Sequence, residues 1–214
     1  LFCNPHHSLT NMFTIKTFCG GICQTNGYAL ECPDGTVVVD APEGMHDWLT
    51  NNQLTPKSLL LTHLHFDHVM DAAAIAESFG CRVFAHSELT SELHLGELFS
   101  QFTGAKIDIA PFAVTEKLEG AASMTAAGTN FAVLHVPGHS PDSVCFYLQD
   151  EEILFAGDTL FQSGIGRSDF PGGNGCLLIA GIREKILTLP ESTRVYPGHG
   201  DSTIVAAERI GNPY

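Results

Sequence analysis

The sequence is poor in cations and in charged residues altogether. Lys and Arg together number 10 against 24 Asp and Glu in 214 residues, which gives a formal net charge of −14. Charged residues make up 16% of the chain, below the roughly 25% of an average soluble domain. A surface this negative repels phosphate backbones and anionic lipids at long range. We therefore expect neither nucleic acid nor a membrane surface as a partner.

Long apolar runs and Cys-x-x-Cys pairs are also missing. No stretch of about 18 uninterrupted apolar residues occurs, so no transmembrane helix is expected. The apolar share of 44% nevertheless excludes a disordered chain. The seven cysteines are scattered and include no Cys-x-x-Cys spacing. They predict reduced, mostly buried thiols in a cytoplasmic protein.

Apolar runs alternate with helical patterns along most of the chain. Residues 1–12 show no periodicity and are predicted to be a poorly ordered tail, whereas no linker divides residues 13–214, which are predicted to form one domain. Strands are predicted at 13–18, 28–31, 36–40, 58–62, 82–85, 131–136, 144–148, 153–156 and 194–196. Helices are predicted at 45–51, 71–79, 87–102, 176–189 and 203–210. Residues 104–128 are expected to hold two short strands.

Polar residues directly follow several of these strands, in a pattern that recurs in the two halves of the chain. Asp40 and Asp158 each end an apolar run, and the tripeptide Pro-Gly-His ends at both His139 and His199. Residues at strand ends are held rigidly and open onto a crevice. The repetition predicts a layered sandwich with a site along one edge.

The segment from His63 to His68 carries the strongest chemical signal. It reads His-Leu-His-Phe-Asp-His and places four potential metal ligands within six residues. After an extended strand, His63 and His65 point the same way, while Asp67 and His68 begin the next turn and can face a second centre. So many polar groups after a buried strand are costly unless something compensates them. The segment therefore predicts metal binding.

The total ligand count indicates two metal ions. Together with His139, Asp158 and His199, the chain offers five histidines and two aspartates. Two four-coordinate metals need about eight bonds, which seven side chains supply if one carboxylate bridges. Five imidazoles and two carboxylates suit zinc, iron or manganese.

The complete His-x-His-x-Asp-His segment resembles the signature of the metallo-β-lactamase superfamily, and the resemblance covers about residues 13–214. It implies an α/β fold, the αβ/βα four-layer sandwich. It also implies a ligand assignment. The first metal would be held by His63, His65 and His139, the second by Asp67, His68 and His199, with Asp158 bridging. Asp40 matches a family position that supports the site without binding metal, and a simple turn residue before Pro42 is the other interpretation of Asp40.

Within the superfamily, residues 155–161 and 164–173 resemble the glyoxalase II group, in particular its small single-domain members. The resemblance implies a dinuclear metal-dependent hydrolase of thioesters of the S-lactoylglutathione (hydroxyacylglutathione) type. A metal-bridging hydroxide would attack, with Asp67 and Asp158 as the catalytic carboxylates and two divalent ions, zinc first, as cofactors. Position 158 is Asp where zinc β-lactamases usually carry Cys, which makes β-lactam hydrolysis a minor expectation.

Two features leave alternatives open. Arg167 follows the Gly-x-Gly of this segment and is a candidate substrate-binding residue, but it can instead pair with Asp169 to shape the loop. Only 15 residues follow His199, so the helical domain with which larger members contact glutathione is expected to be absent. The Gly-x-Gly-Arg-x-Asp-Phe segment is also similar to the glutathione-persulfide dioxygenases, in which one iron would sit on His63, His139 and Asp158. A lactone or ester hydrolase of the same superfamily is a further alternative.

Overall fold

Two six-stranded sheets face each other, and helices cover their outer faces. The structure is a computed structural model that describes residues 13–214, so the predicted tail at residues 1–12 lies outside the described part. The first sheet consists, in spatial order, of β1 (Ile15–Gly20), β2 (Thr25–Cys32), β3 (Gly35–Val39), β4 (Pro56–Leu60), β5 (Arg82–Ala85) and β6 (Glu116–Lys117).

The second sheet is assembled from the second half of the chain. In spatial order it consists of β7 (Ser123–Ala126), β8 (Thr129–His135), β9 (Val144–Leu148), β10 (Ile153–Gly157), β13 (Arg194–Pro197) and β14 (Thr203–Ile204). Between β10 and β13 along the chain, β11 (Leu160–Phe161) and β12 (Gly164–Ile165) form a separate hairpin. Strands β3 to β6 pair in parallel, as do β10 and β13. Parallel neighbours bring their carboxyl ends to the same edge of a sheet.

Seven helices and one π-helical turn complete the described fold. The helices are α1 (Met45–Asn51), α2 (Phe66–Val69), α3 (Ala72–Phe79), α4 (Ser91–His94), α5 (Gly96–Thr103), α6 (Gly175–Gly181) and α7 (Val205–Gly211), and the π-helical turn (Ile182–Ile186) continues α6. No helix in the described part of the chain combines the length and the hydropathy that a membrane span needs.

Three apolar clusters separate the four layers, and the alternation of side chains along each strand distributes residues between them. In β4, Leu60 packs in the cluster between the two sheets, whereas Leu59 packs against the helices on the first sheet. In β9, Phe146 lies in the central cluster, and Cys145 and Tyr147 pack on the opposite side with residues of α6. Strands buried on both faces explain the continuous apolar runs. The predicted αβ/βα sandwich is confirmed.

Several predicted helices were wrong in extent because tertiary contacts override local propensity. The helix predicted at 87–102 is split at Leu95, whose φ of 56° ends α4 while its side chain is buried. The helix predicted at 176–189 ends as an α-helix at Gly181 and continues as the π-helical turn. The helix predicted at 203–210 begins only at Val205, because residues 203–204 pair with β13. The two strands expected within 104–128 are β6 and β7.

The prediction of mostly buried thiols was also wrong. The six described cysteines are free, but only Cys81 and Cys145 are buried. Cys19 is exposed in β1, which forms the edge of the first sheet, and Cys176 is exposed in the first turn of α6. Burial of these thiols was inferred from the residue type, whereas their exposure depends on where each strand or helix lies in the fold.

Candidate metal centre

Loops from both sheets converge at one edge of the sandwich. In the first sheet Asp40 directly follows β3, and the segment from His63 to His68 follows β4. In the second sheet His139, Asp158 and His199 follow β8, β10 and β13. Backbone hydrogen bonds join these loops, from Gly198 N–H to the Gly157 carbonyl at 2.8 Å and from Asn26 N–H to the Gly198 carbonyl at 2.7 Å. The strand ends therefore hold polar side chains from distant parts of the chain in one place.

Three histidines form the first group. The ligand atoms of His63, His65 and His139 all lie within 4.8 Å of one another. The His139 ring lies with Nδ1 2.8 Å from the Arg167 carbonyl oxygen, so Nδ1 carries the proton and donates it there. The Nε2 atom of His139 is thereby left free to bind a metal at the centre of the group.

Asp67, His68 and His199 form the second group, again with ligand atoms within 4.8 Å of one another. Asp67 and His68 lie in α2, the single helical turn that begins after His65. The Thr25 hydroxyl donates a hydrogen bond of 2.7 Å to Asp67 Oδ2. The hydroxyl from β2 therefore fixes the rotamer of a carboxylate in the segment after β4.

Asp158 lies between the two groups and touches both. Its Oδ1 is 3.3 Å from His68 Nε2. Its Oδ2 is 3.3 Å from His199 Nε2 and 3.5 Å from His139 Nε2. One carboxylate thus reaches imidazoles of both groups, which is the placement that a bridging ligand requires.

Several polar atoms of the site are buried without a hydrogen-bond partner. They are Nε2 of His63, His68 and His139, and Oδ1 of Asp158. A buried polar atom without a partner costs about 1–3 kcal/mol, so a cluster of four calls for a compensating group. Imidazole nitrogen and carboxylate oxygen are ligands for zinc, iron and manganese. The described residues therefore fit divalent metal ions.

Two histidines of the first group, His63 and His65, are held neutral. Burial, reinforced by neighbouring imidazoles, lowers the pKa of His63 well below its ordinary value. Burial, with His139 next in importance, lowers the pKa of His65 to about 3. A neutral imidazole offers the lone pair that a metal needs, so these two side chains are ready to bind at neutral pH.

The second group is held by charge pairs. Burial lowers the pKa of His199, but hydrogen bonds with Asp158 and Asp67 outweigh it and raise the value to about 10. Burial raises the pKa of Asp67, yet His68, His199 and Thr25 together bring it down to about 2. The pKa of Asp158 is also held well below its ordinary value, against burial, chiefly by His68 and His199. Both carboxylates are therefore ionised at neutral pH and available as anionic ligands.

Asp40 lies beneath the second group. Its buried carboxylate accepts hydrogen bonds from the Thr62 N–H and the Thr62 hydroxyl, both at 2.8 Å, and its Oδ2 is 2.9 Å from His68 Nδ1. Its φ of 59° is in the left-handed region, which costs a non-glycine residue roughly 1–2 kcal/mol. The sequence left open whether Asp40 supports the site or is a simple turn residue. The structure places its carboxylate in contact with the candidate ligand His68.

Two loops approach Asp158 so closely that the residue at the point of contact has to be a glycine. A Cβ at Gly198 would lie 2.1 Å from Asp158 Oδ1, and a Cβ at Gly166 would lie 1.8 Å from the Asp158 carbonyl oxygen. These glycines belong to the Pro-Gly-His and Gly-x-Gly-Arg segments, but the sequence did not indicate what each glycine contacts. The repeated glycine beside a candidate ligand was the available signal.

A cavity of about 390 Å³ opens above the two groups. Its floor is formed by candidate ligands, and its wall is apolar. The wall residues are Phe99, Phe161, Ile165 and Phe170, and Cys23 and Arg167 also line the cavity. Of these six residues, the sequence interpretation named only Arg167 as a candidate site residue, because the other five are not among the metal ligands that it identified. A pocket with convergent polar groups and an apolar wall is a typical small-molecule site.

Arg167 forms an ion pair with Asp169, which is one of the two roles that the sequence left open for it. Its Nε and one terminal nitrogen donate to the two carboxylate oxygens of Asp169, each at 2.7 Å. Its guanidinium carbon also lies 3.8 Å from the centre of the Phe170 ring. Arg167 lines the cavity, but its charge is paired within its own loop.

Comparison with known proteins settles the family. The model of the metallo-β-lactamase superfamily matches residues 20–199. This chain belongs to that superfamily. The match runs from the end of β1 to His199 and so includes most of both sheets and all seven candidate ligands, in agreement with the observed sandwich.

Relatives and solved structures are similar to this chain over most of its length. The chain is 36% identical to the probable metallo-hydrolase YqgX of Bacillus subtilis, covering 91% of this chain and 93% of that protein. It is 37% identical to the hydroxyacylglutathione hydrolase GloC of Haemophilus influenzae, covering 75% and 76%. Among solved structures, BLEG-1, described as a B3 metallo-β-lactamase, superposes with a TM-score of 0.84 at 40% identity and coverages of 94% and 98%. TTHA1623 in a di-iron-bound form superposes with a TM-score of 0.79 at 35% identity and coverages of 92% and 98%.

Proposed function

We propose that this chain is a dinuclear metal-dependent hydrolase that cleaves thioesters, with S-lactoylglutathione as the reference substrate. The observation that carries the proposal is the position of Asp158, whose two oxygens reach imidazoles of both ligand groups. The relation to the hydroxyacylglutathione hydrolase GloC supports the substrate class. Zinc is the first candidate metal, and the di-iron form of TTHA1623 makes iron a candidate as well.

The protein side chains divide the work in this proposal. His63, His65 and His139 would hold one ion, Asp67, His68 and His199 the other, and Asp158 would join them. When bound, such ions lower the pKa of water to about 7 and polarise a carbonyl group. Asp67 would accept a proton or hold the attacking water in place, because the Thr25 hydroxyl fixes the orientation of its carboxylate.

The choice of a thioester follows from the remaining titratable groups of the cavity. Hydrolysis adds water across the C–S bond and releases an acid and a thiol. A thiolate has a conjugate pKa of about 8.5 and departs without a strong general acid. Outside the seven candidate ligands, the described titratable residues lining the cavity are Cys23 and Arg167. Burial, reinforced by Asp67, raises the pKa of Cys23 to about 11, so its thiol is a weak acid.

Two other activities, glutathione-persulfide oxidation and β-lactam hydrolysis, have to be assayed beside thioester hydrolysis. His63, His139 and Asp158 lie together, as a mononuclear iron dioxygenase acting on glutathione persulfide would need. The similarity to BLEG-1 at 40% identity makes a β-lactam a necessary comparison substrate.

The test combines metal content and activity on one preparation. We expect about two metal ions per chain and hydrolysis of S-lactoylglutathione, with little oxygen uptake on glutathione persulfide and little β-lactam cleavage. One iron per chain with oxygen uptake would replace the proposal with the dioxygenase. Two metals with β-lactam cleavage and no thioester cleavage would replace it with a lactamase.

The variant Asp67→Ala separates the dinuclear from the mononuclear interpretation. Asp67 belongs to the second ligand group only. Its loss is therefore expected to remove one metal and reduce thioester hydrolysis by about 100-fold. An Asp67→Ala protein that keeps its activity and binds a single iron would support the dioxygenase. The exposed Asp108→Ala serves as the matched control.

A further inference from the structure

The cavity is asymmetric in polarity. Its floor contains the candidate metal ligands, while its apolar lining residues are Phe99, Phe161, Ile165 and Phe170. The Phe99 ring lies 5.5 Å from the Phe170 ring, edge to face. An apolar wall of this kind contacts uncharged parts of a ligand and offers nothing to a carboxylate.

Arg167 is the only Lys or Arg among the described residues that line the cavity. It is also the residue that could attract an anionic part of a substrate. Both oxygens of Asp169 face it, and one bidentate edge of the guanidinium is occupied. Bidentate pairing is the strong form of the arginine–carboxylate contact. One flat face is covered by the Phe170 ring.

The pair cannot move far from the metal centre. The Arg167 carbonyl oxygen accepts the Nδ1–H of His139 at 2.8 Å, and Gly166 packs directly against the Asp158 backbone. The backbone of residue 167 is therefore tied to two candidate ligands, while its side chain is tied to Asp169. A substrate carboxylate that binds Arg167 has either to use the remaining edge of the guanidinium beside the Asp169 charge or to displace Asp169.

We propose that Asp169 is a specificity-determining residue that disfavours thioesters with an anionic thiol portion, so that the site accepts uncharged thiol portions at least as well as glutathione. The inference rests on the proposed thioester hydrolysis. A carboxylate near Arg167 meets the Asp169 charge, whereas an uncharged thiol portion meets only the apolar wall. The net charge of −14 adds long-range repulsion of the same sign.

The test compares two substrates that share an acyl group. They are S-lactoylglutathione and the uncharged S-lactoyl thioester of N-acetylcysteamine, assayed on the metal-loaded protein. Asp169→Asn keeps the size of the side chain and removes its charge. We expect the ratio of kcat/KM for the glutathione ester to that for the uncharged ester to rise about threefold to fivefold, the size expected of an exposed ion pair. The change is expected as a lower KM for the glutathione ester, with kcat unchanged, and it should shrink at high salt.

Binding provides a second readout that does not depend on turnover. Calorimetry on the metal-loaded protein compares S-hexylglutathione with the hexyl thioether of N-acetylcysteamine. The Asp169→Asn variant should bind the first about threefold to fivefold more tightly and the second unchanged. The double variant Arg167→Gln with Asp169→Asn should lose this gain, because the freed guanidinium is its cause.

Glu191→Gln is the matched control. Glu191 pairs with Arg209 at 3.0 Å on the surface, and it precedes β13, whereas His199 follows that strand. The Glu191→Gln substitution removes the same unit of negative charge far from the cavity. It should therefore change neither the ratio of the two kcat/KM values nor the relative affinity for the two calorimetry ligands. Unchanged ratios in Asp169→Asn, or a gain that persists in the double variant, would overturn the inference. If neither thioester is hydrolysed, the proposed function fails, and calorimetry still decides the role of Asp169.

Discussion

The two halves of the chain reach the same site in different ways. The first half places four of the seven candidate ligands in one six-residue segment between β4 and the end of α2. The second half contributes His139, Asp158 and His199 from three separate loops, each after a different strand. The first set therefore depends on one local turn, whereas the second depends on the register of a whole sheet.

This difference determines where each set is vulnerable. Ligands of the first half are spaced by the chain itself, so their mutual distances survive small movements of the sheet. In the second half, Asp158 and His199 meet because β10 and β13 pair in parallel and Gly198 lies against Gly157, and His139 is brought to them by β8 of the same sheet. Changes in the packing of the second half should therefore disturb the site more than comparable changes in the first.

The largest expected effect comes from Asp158→Ala, because Asp158 touches groups from both halves. Its loss should release at least one metal per chain and lower kcat/KM by about 1000-fold. Elemental analysis and thioester hydrolysis measure the two quantities. Asp150→Ala, in the exposed turn before β10, is the control that should change neither. A variant that keeps both metals and full turnover would show that Asp158 does not bridge.

A glycine of the second half provides the next test. In Gly198→Ala, the new Cβ would lie 2.1 Å from Asp158 Oδ1 and 2.7 Å from His68 Cε1. The carboxylate has to move by about an ångström, a displacement that can cost about 100-fold in activity. In Gly211→Ala the new Cβ meets nothing within 4 Å, so this control should behave as wild type. Equal activity of the two variants would contradict the vulnerability of the second half.

The corresponding test in the first half is Asp40→Asn. The amide keeps an oxygen for the Thr62 hydrogen bonds but no longer offers a carboxylate to His68 Nδ1. Metal affinity should fall by about 10-fold, because a partner that orients a ligating histidine typically contributes that much. Titration with zinc in competition with a chelator measures it. Asp71→Asn removes a carboxylate that accepts the His46 N–H at 2.9 Å outside the site, and it should leave the affinity unchanged.

The contrast between the halves also explains what the sequence could predict. The segment from His63 to His68 was identifiable because its ligands are contiguous, and the strand-end residues were identifiable because apolar runs precede them. The structure brings all seven side chains together, and their roles as ligands remain a prediction. The apolar wall was not predicted, because Phe99 on α5 reaches the cavity only through tertiary packing. The break at Leu95 was missed for the same reason.

The smallest expected effect concerns a contact that joins the halves away from the seven candidate ligands. The His86 ring, after β5, stacks on the His135 ring at the end of β8, with ring centres 4.3 Å apart. Burial, and then His135, lower the pKa of His86, while Asp142 and Glu119 partly raise it. Because the unfolded chain then binds the proton more readily than the folded chain, the fold is more stable above the ordinary histidine pKa of about 6.5 than below it.

The contribution of His86 is therefore lost as the pH falls below that value. Urea unfolding of chelator-treated protein at pH 7.5 and at pH 5.5 should show a smaller loss of unfolding free energy in His86→Gln than in wild type. His135→Gln should lie between them, since His135 is one cause of the shift and burial of His86 is the larger one. Identical losses in wild type and His86→Gln would show that the two halves are not coupled through this stack.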